Sequence, residues 1–297
     1  MKSNLLIRFI TGVVFVVVLV GAIVWRWESF ALLFALITGL TVWEFCTIVN
    51  RNLPAQVNRF ITTATAVYFF FAVLAFNANM APAAIFIPFL LSIVYLLVAE
   101  LYLNRPNPLQ NWAFALMAQL YVALPFALLN TLAMLIDTEA SQLSPMSLPV
   151  MKYTPVYVLA IFVFLWSSDT GAYCSGRMFG KHKLFPRISP NKTWEGTIGG
   201  GILAIVASQI FAWLAPAFAP QSPLLGHLLW AGLAVVVVIF GTWGDLVESL
   251  LKRKLGIKDS GNILPGHGGM LDRFDSSLLA IPAAVIYIYL LNNFLQS

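Results

Sequence analysis

Leu228–Lys254 reads LLWAGLAVVVVIFGTWGDLVESLLKRK, with no charge before Asp245 and three basic residues closing the stretch. Crossing the hydrocarbon of a bilayer takes roughly 20 helical residues. Leu228–Val247 therefore predicts a membrane-spanning helix whose last turns carry ionisable groups. Asp245, Glu248, Ser249 and Lys252 recur at steps of three and four, so they share one helix face. Carboxylates are costly at the edge of a membrane, and those kept there usually have a functional partner.

Working outward, further apolar segments of spanning length lie near Phe9–Trp25, Phe30–Val49, Phe60–Phe76, Ala84–Leu103, Trp112–Ile136, Pro155–Tyr173, Thr197–Phe218 and Leu278–Phe294. The first is read as a retained helix, because it ends in Trp25, Arg26 and Trp27 with no small-residue cleavage site. Pro88, Pro125 and Pro282 fall within the segments and are expected to kink them. The expected fold is all-α, a polytopic membrane helical bundle of about nine transmembrane helices, with residues 1–297 forming a single integral-membrane domain. Composition agrees: 60% of the 297 residues are hydrophobic and 10% charged, too little polar surface to cover a water-soluble globule. With a cytoplasmic amino terminus, only Arg26 and Lys152 of the 17 basic residues fall outside, leaving fifteen on the cytoplasmic side, as the positive-inside rule favours. The net charge of +5 is thus a topology signal, and no nucleic-acid partner is expected. Cys46 and Cys174 make no disulfide framework.

Two polar loops remain on that side. The first, Gly176–Gly201, reads GRMFGKHKLFPRISPNKTWEGTIGGG. Gly176, Gly180 and Lys181 are spaced one residue short of a phosphate-binding P-loop, and His182 stands where the metal-binding hydroxyl belongs, so that motif is excluded. What is left is a basic run in which Lys192, beside Ser189 and Thr193, is able to surround a polyanion. Ordinary positive-inside charge is the bland alternative, and Ser189 before Pro190 also fits a helix N-cap.

The second loop continues from Lys252 into NILPGHGGMLDRFDS, Asn262–Ser276. Gly266, Gly268 and Gly269 allow close backbone approach to a ligand, and Asp272 and Asp275 again sit three apart. Two carboxylate pairs flanking a glycine-rich loop suit Mg²⁺, which takes one or two protein carboxylates and fills its shell with water and phosphate oxygens. No cysteine joins His267, so zinc is not expected. Asp272 or Asp275 capping the last helix, and Asp245 pairing with Arg253 or Lys252, are the structural alternatives. Asp169, at the cytoplasmic end of the sixth segment in SSDTGAY, belongs with the membrane-edge acids, whereas Glu44 and Glu100 read equally well as interfacial helix ends.

The run Ser249–Asp275, SLLKRKLGIKDSGNILPGHGGMLDRFD, resembles the signature of the phosphatidate cytidylyltransferase family, and SSDTGAYCSGRMFGK and SPNKTWEG look like that family's as well. The resemblance is close over roughly the last 130 residues of the chain, and the signature region is taken as 165–275. It implies Mg²⁺-dependent transfer of a cytidylyl group from CTP to phosphatidic acid, by an enzyme of the bacterial inner membrane that assembles as a homodimer. Whether one cation or two are held is left open by it. By the same likeness Asp245 and Asp272 are expected as metal ligands, and Lys252, Ser249, Asp275 and His267 in the same pocket. Lys192, Ser189, Thr193, Asp169, Arg253, Lys258 and Arg273 complete the expected substrate-binding set. A CTP-dependent lipid kinase and a transporter of anionic metabolites are the rival readings. The crowding of charged sites into the carboxyl-terminal half, on one side only, speaks against the transporter.

Overall fold

The computed structural model describes residues 2–136, 150–215, 222–263 and 268–296. In chain order its helices are α1 (Lys2–Trp25), α2 (Trp27–Asn52), α3 (Arg59–Asn77), α4 (Ile87–Leu103), α5 (Pro108–Met117) and α6 (Leu124–Ala133). They continue as α7 (Val156–Phe179), α8 (Trp194–Leu214), α9 (Pro223–Lys254), the short α10 (Leu271–Phe274) and α11 (Ser277–Gln296). Among the described residues 8 helices are long and apolar enough to cross a membrane. The α1 helix, where a ninth span was expected, contributes a shorter apolar stretch, Ile10–Trp25. Two small antiparallel ribbons were not foreseen: β1 (Met134–Ile136) with β2 (Met151–Tyr153), and β3 (Lys183–Phe185) with β4 (Ser189–Thr193).

The chain divides into two compact units, Met1–Pro155 with Lys254–Phe274, and Val156–Arg253 with Asp275–Ser297. The first unit is organised by aromatic packing. Phe30, Phe34, Phe45, Phe70 and Phe126 are fully buried, and Phe274 of α10 meets Phe15 and Phe126 edge to face. Proline acts there by position. Pro88 lies in the first turn of α4, where its missing N–H is no loss, so it starts that helix rather than kinking it. Pro125 lies in the first turn of α6, just after a π-helical turn over Ala118–Ala123 that joins α5 to α6 within one apolar span.

In the second unit the sequence writes two faces on α8. Gly196, Gly200, Ala204, Ser208 and Ala212, four apart, form a buried stripe of small residues. Ile198, Ile202, Val206 and Ile210, at the same spacing, are exposed. A water-soluble helix would carry charge on that outer face, so the apolar stripe marks lipid contact. The small stripe packs against α7 at backbone contact: a Cβ added at Gly171 would lie 2.8 Å from Gly199 O, and one at Gly200 would lie 2.5 Å from Ser168 O. Pro282 lies inside α11.

Candidate functional site

The second unit carries a cavity that Gly176 of α7 and Gly196 of α8 help to line. The loop after α7 returns as the β3–β4 hairpin, and Glu195 ties that hairpin to the start of α8. Its carboxylate accepts from Lys181 N at 3.1 Å and His182 N at 3.2 Å, and lies 2.6 Å from His182 Nδ1. The N-cap of α8 is Thr193, whose buried hydroxyl accepts from Gly196 N at 3.1 Å. This corrects the reading of Ser189 as a helix cap. Ser189 pairs with Phe185 in the ribbon, and Pro190, which has no N–H to offer a ladder, is tolerated in a two-stranded edge. The helix starts four residues later, where the apolar run begins.

The cavity has a volume of about 510 Å³. Its polar lining includes Asp169 and Arg177 of α7, Asn191 and Lys192 of β4, Thr197 of α8 and Thr242 of α9. Leu165, Ala172 and Val238 make its apolar wall. A pocket that joins two cations, hydrogen-bonding groups and an apolar wall within a lipid-facing unit suits an amphiphilic anion.

Beside the cavity lies an acidic cluster built by one glycine. At Gly244 a Cβ would lie 2.6 Å from Asp275 O and 2.9 Å from Ser276 O, so only glycine lets that backbone cross α9 at this level. The crossing places one carboxylate oxygen from each of Asp245, Glu248 and Asp275 within 4.8 Å of the others. Lys192 Nζ lies 2.5 Å from Asp245 Oδ2, and Ser249 Oγ donates to Asp245 Oδ1 at 3.1 Å. Lys252 Nζ pairs with Glu248 at 2.6 Å, and Glu248 has no exposed surface. Three converging hard oxygen donors fit a divalent cation of the Mg²⁺ kind. Sequence reasoning had Glu248 on the right helix face but left it out of the expected site. Its spacing from Asp245 was the available signal.

Of the other expected residues, Arg253 is exposed in the last turn of α9. Lys258, Asp272 and Arg273 belong to the first unit, Lys258 and Arg273 exposed and Asp272 half-buried. Asp272 Oδ2 accepts from Ser260 N at 2.8 Å, Ser260 Oγ at 2.9 Å and Gly269 N at 2.9 Å. Neighbouring Gly268 has a φ of +84°, and a Cβ there would lie 2.6 Å from Asp272 Oδ2. Gly266 and His267 lie outside the described residues. Glu44 of α2, which the sequence left as a helix end, is buried and accepts from Met270 N at 2.9 Å and Leu271 N at 3.1 Å.

A model of the cytidylyltransferase family matches residues 6–291. Among curated proteins the chain is 50% identical over 131 residues to a phosphatidate cytidylyltransferase of Bacillus subtilis (strain 168), covering 44% of this chain and 46% of that one. It is 48% identical over 126 residues to one of Staphylococcus aureus (strain COL), covering 42% and 46%. The matches thus span somewhat under half the length of these relatives.

Proposed function

The chain belongs to the cytidylyltransferase family, and from that premise we propose that it transfers the cytidylyl group of CTP to phosphatidic acid, giving CDP-diacylglycerol and pyrophosphate. The observation that carries this reading is the convergence of Asp245, Glu248 and Asp275 beside a cavity lined by Lys192 and Arg177, within a unit whose α8 presents an apolar outer face. Soluble nucleotide enters from water while the diacylglycerol tails stay in lipid. The positive-inside count supports a site that faces the cytoplasm, and the family resemblance supports a bacterial inner membrane. The family resemblance adds a homodimer.

In this reading two anions meet. An oxygen of the phosphatidate phosphate bonds to the α-phosphorus of CTP, the bond to the β-phosphate bridging oxygen breaks in line, and that oxygen leaves with pyrophosphate. A phosphate monoester is already a competent nucleophile, so no covalent enzyme intermediate is required. Lys192 and Arg177 neutralise phosphate oxygens as charge builds on the leaving group. Lys252 holds Glu248 in place, and Ser249 orients Asp245. Asp245 with Glu248 and Asp275 would hold Mg²⁺, and the signature implies a ligand role for Asp272 as well. When bound, Mg²⁺ supplies charge neutralisation for the triphosphate and the departing pyrophosphate.

The test is a product assay on detergent-purified protein with radiolabelled CTP, dioleoyl phosphatidic acid and Mg²⁺. Equal, metal-dependent yields of CDP-lipid and pyrophosphate are expected. CDP appearing with a newly phosphorylated lipid would replace this reading with a lipid kinase, and no product from folded protein would turn the question to transport.

A further inference from the structure

The backbone at Met270 and Leu271 is held by a carboxylate more than two hundred residues upstream. Glu44 is 5% exposed, near the carboxyl-terminal end of α2. Its two oxygens meet the N–H groups of Met270 and Leu271 and the hydroxyl of Ser260. The same hydroxyl reaches Asp272 Oδ2 at 2.9 Å, so Ser260 stands between the two carboxylates. A hydroxyl has one proton to give, and the backbone amides of Ser260, Gly269, Met270 and Leu271 supply the remaining donors. Glu44 also explains two glycines. A Cβ at Gly261 would lie 2.8 Å from Glu44 Oε2, and one at Gly269 would overlap Glu44 Oε1.

We propose that Glu44 is a positioning residue for the reaction inferred above: it clamps the Gly269–Leu271 backbone and, through Ser260, fixes the orientation in which Asp272 is presented. The proposal rests on that reading of function. A carboxylate offers only acceptors, which is what three converging donors require. An amide of the same size would turn an NH₂ group toward N–H groups, and the loop would lose its single geometry while α2 kept its packing.

Glu44→Gln is therefore the informative change, with Glu44→Asp keeping the acceptor-only chemistry on a shorter stem. Glu44→Gln should elute from detergent columns as wild type does. Its kcat should fall about 10- to 100-fold, the usual cost of losing a group that orients a metal ligand. Half-maximal activity should need about fivefold more Mg²⁺, with KM for CTP little changed. Hydrogen exchange at the 269–271 amides should quicken about tenfold, and Glu44→Asp should recover part of kcat. Wild-type-like kcat and Mg²⁺ dependence in Glu44→Gln would overturn the proposal. So would a loss of activity that merely follows the folded fraction with Mg²⁺ dependence unchanged. If wild-type protein makes no CDP-lipid, the functional reading is what fails. The exchange measurement then decides alone whether Glu44 holds the loop, unchanged protection in Glu44→Gln refuting it.

Discussion

Two groups of carboxylates in this chain are satisfied in opposite ways. In the first unit Glu44 and Asp272 are met chiefly by backbone N–H groups. In the second, Asp245, Glu248 and Asp275 face one another and are met by the ammonium groups of Lys192 and Lys252. A backbone amide is neutral and fixed by the chain, so it sets direction without cancelling charge. An ammonium cancels charge but swings on a flexible stem. Carboxylate oxygens within 4.8 Å of each other repel by roughly 3.5 kcal/mol per pair at an effective dielectric of 20. Two lysines offset part of that. A divalent cation would relieve more of it and release the lysines toward phosphate. The first arrangement thus suits holding a shape, and the second suits receiving charge.

The strongest way to break this contrast is Asp245→Asn. If the cluster receives the cation, kcat for CDP-lipid formation should drop about a thousandfold at any Mg²⁺ concentration, in protein that still inserts. Retention of a large fraction of activity would remove Asp245 from the cation site. Glu248→Gln sharpens the same point: a loss of about a hundredfold with a raised Mg²⁺ requirement is expected, whereas a stability loss alone would make Glu248 a mere partner of Lys252. Lys192→Met should cost about tenfold in kcat, with KM for CTP raised as well, and Lys192→Arg should restore part of it. Gly171→Val attacks the seam instead of the charges. Overpacking against the α8 backbone should destabilise by about 1–3 kcal/mol, read as a lower thermal midpoint in detergent, with activity falling in step. The smallest effect belongs to Ile202→Leu on the outer face of α8, where a change under about 0.5 kcal/mol and normal turnover are expected.

How far the sequence could be read follows from the range of each interaction. The spanning helices were legible because about twenty apolar residues have one common explanation. The stripe Asp245, Glu248, Ser249, Lys252 was legible because helical periodicity acts over one turn. Two things were not. The β3–β4 ribbon lies in a basic loop whose pairing depends on how α7 and α8 bring its ends together, so Ser189 looked like a cap and Thr193 did not. Glu44 meets partners 216 to 227 positions away, a contact no local spacing announces. Gly244 shows the same limit. Its position before Asp245 was plain, but its reason, an Asp275–Ser276 backbone so near that an added Cβ would lie 2.6 Å from Asp275 O, exists only in three dimensions.

The two stripes of α8 also separate two kinds of adaptation. At Gly196 and Gly200 of the buried stripe a single added methyl group would meet the α7 backbone, so that side is closed to drift. Along Ile198, Ile202, Val206 and Ile210 any apolar residue serves, and bulk, length and branching are open to change. A cell that alters the thickness or fluidity of its bilayer can therefore retune this helix from the outside, one face evolving with the lipid while the other stays with the chemistry.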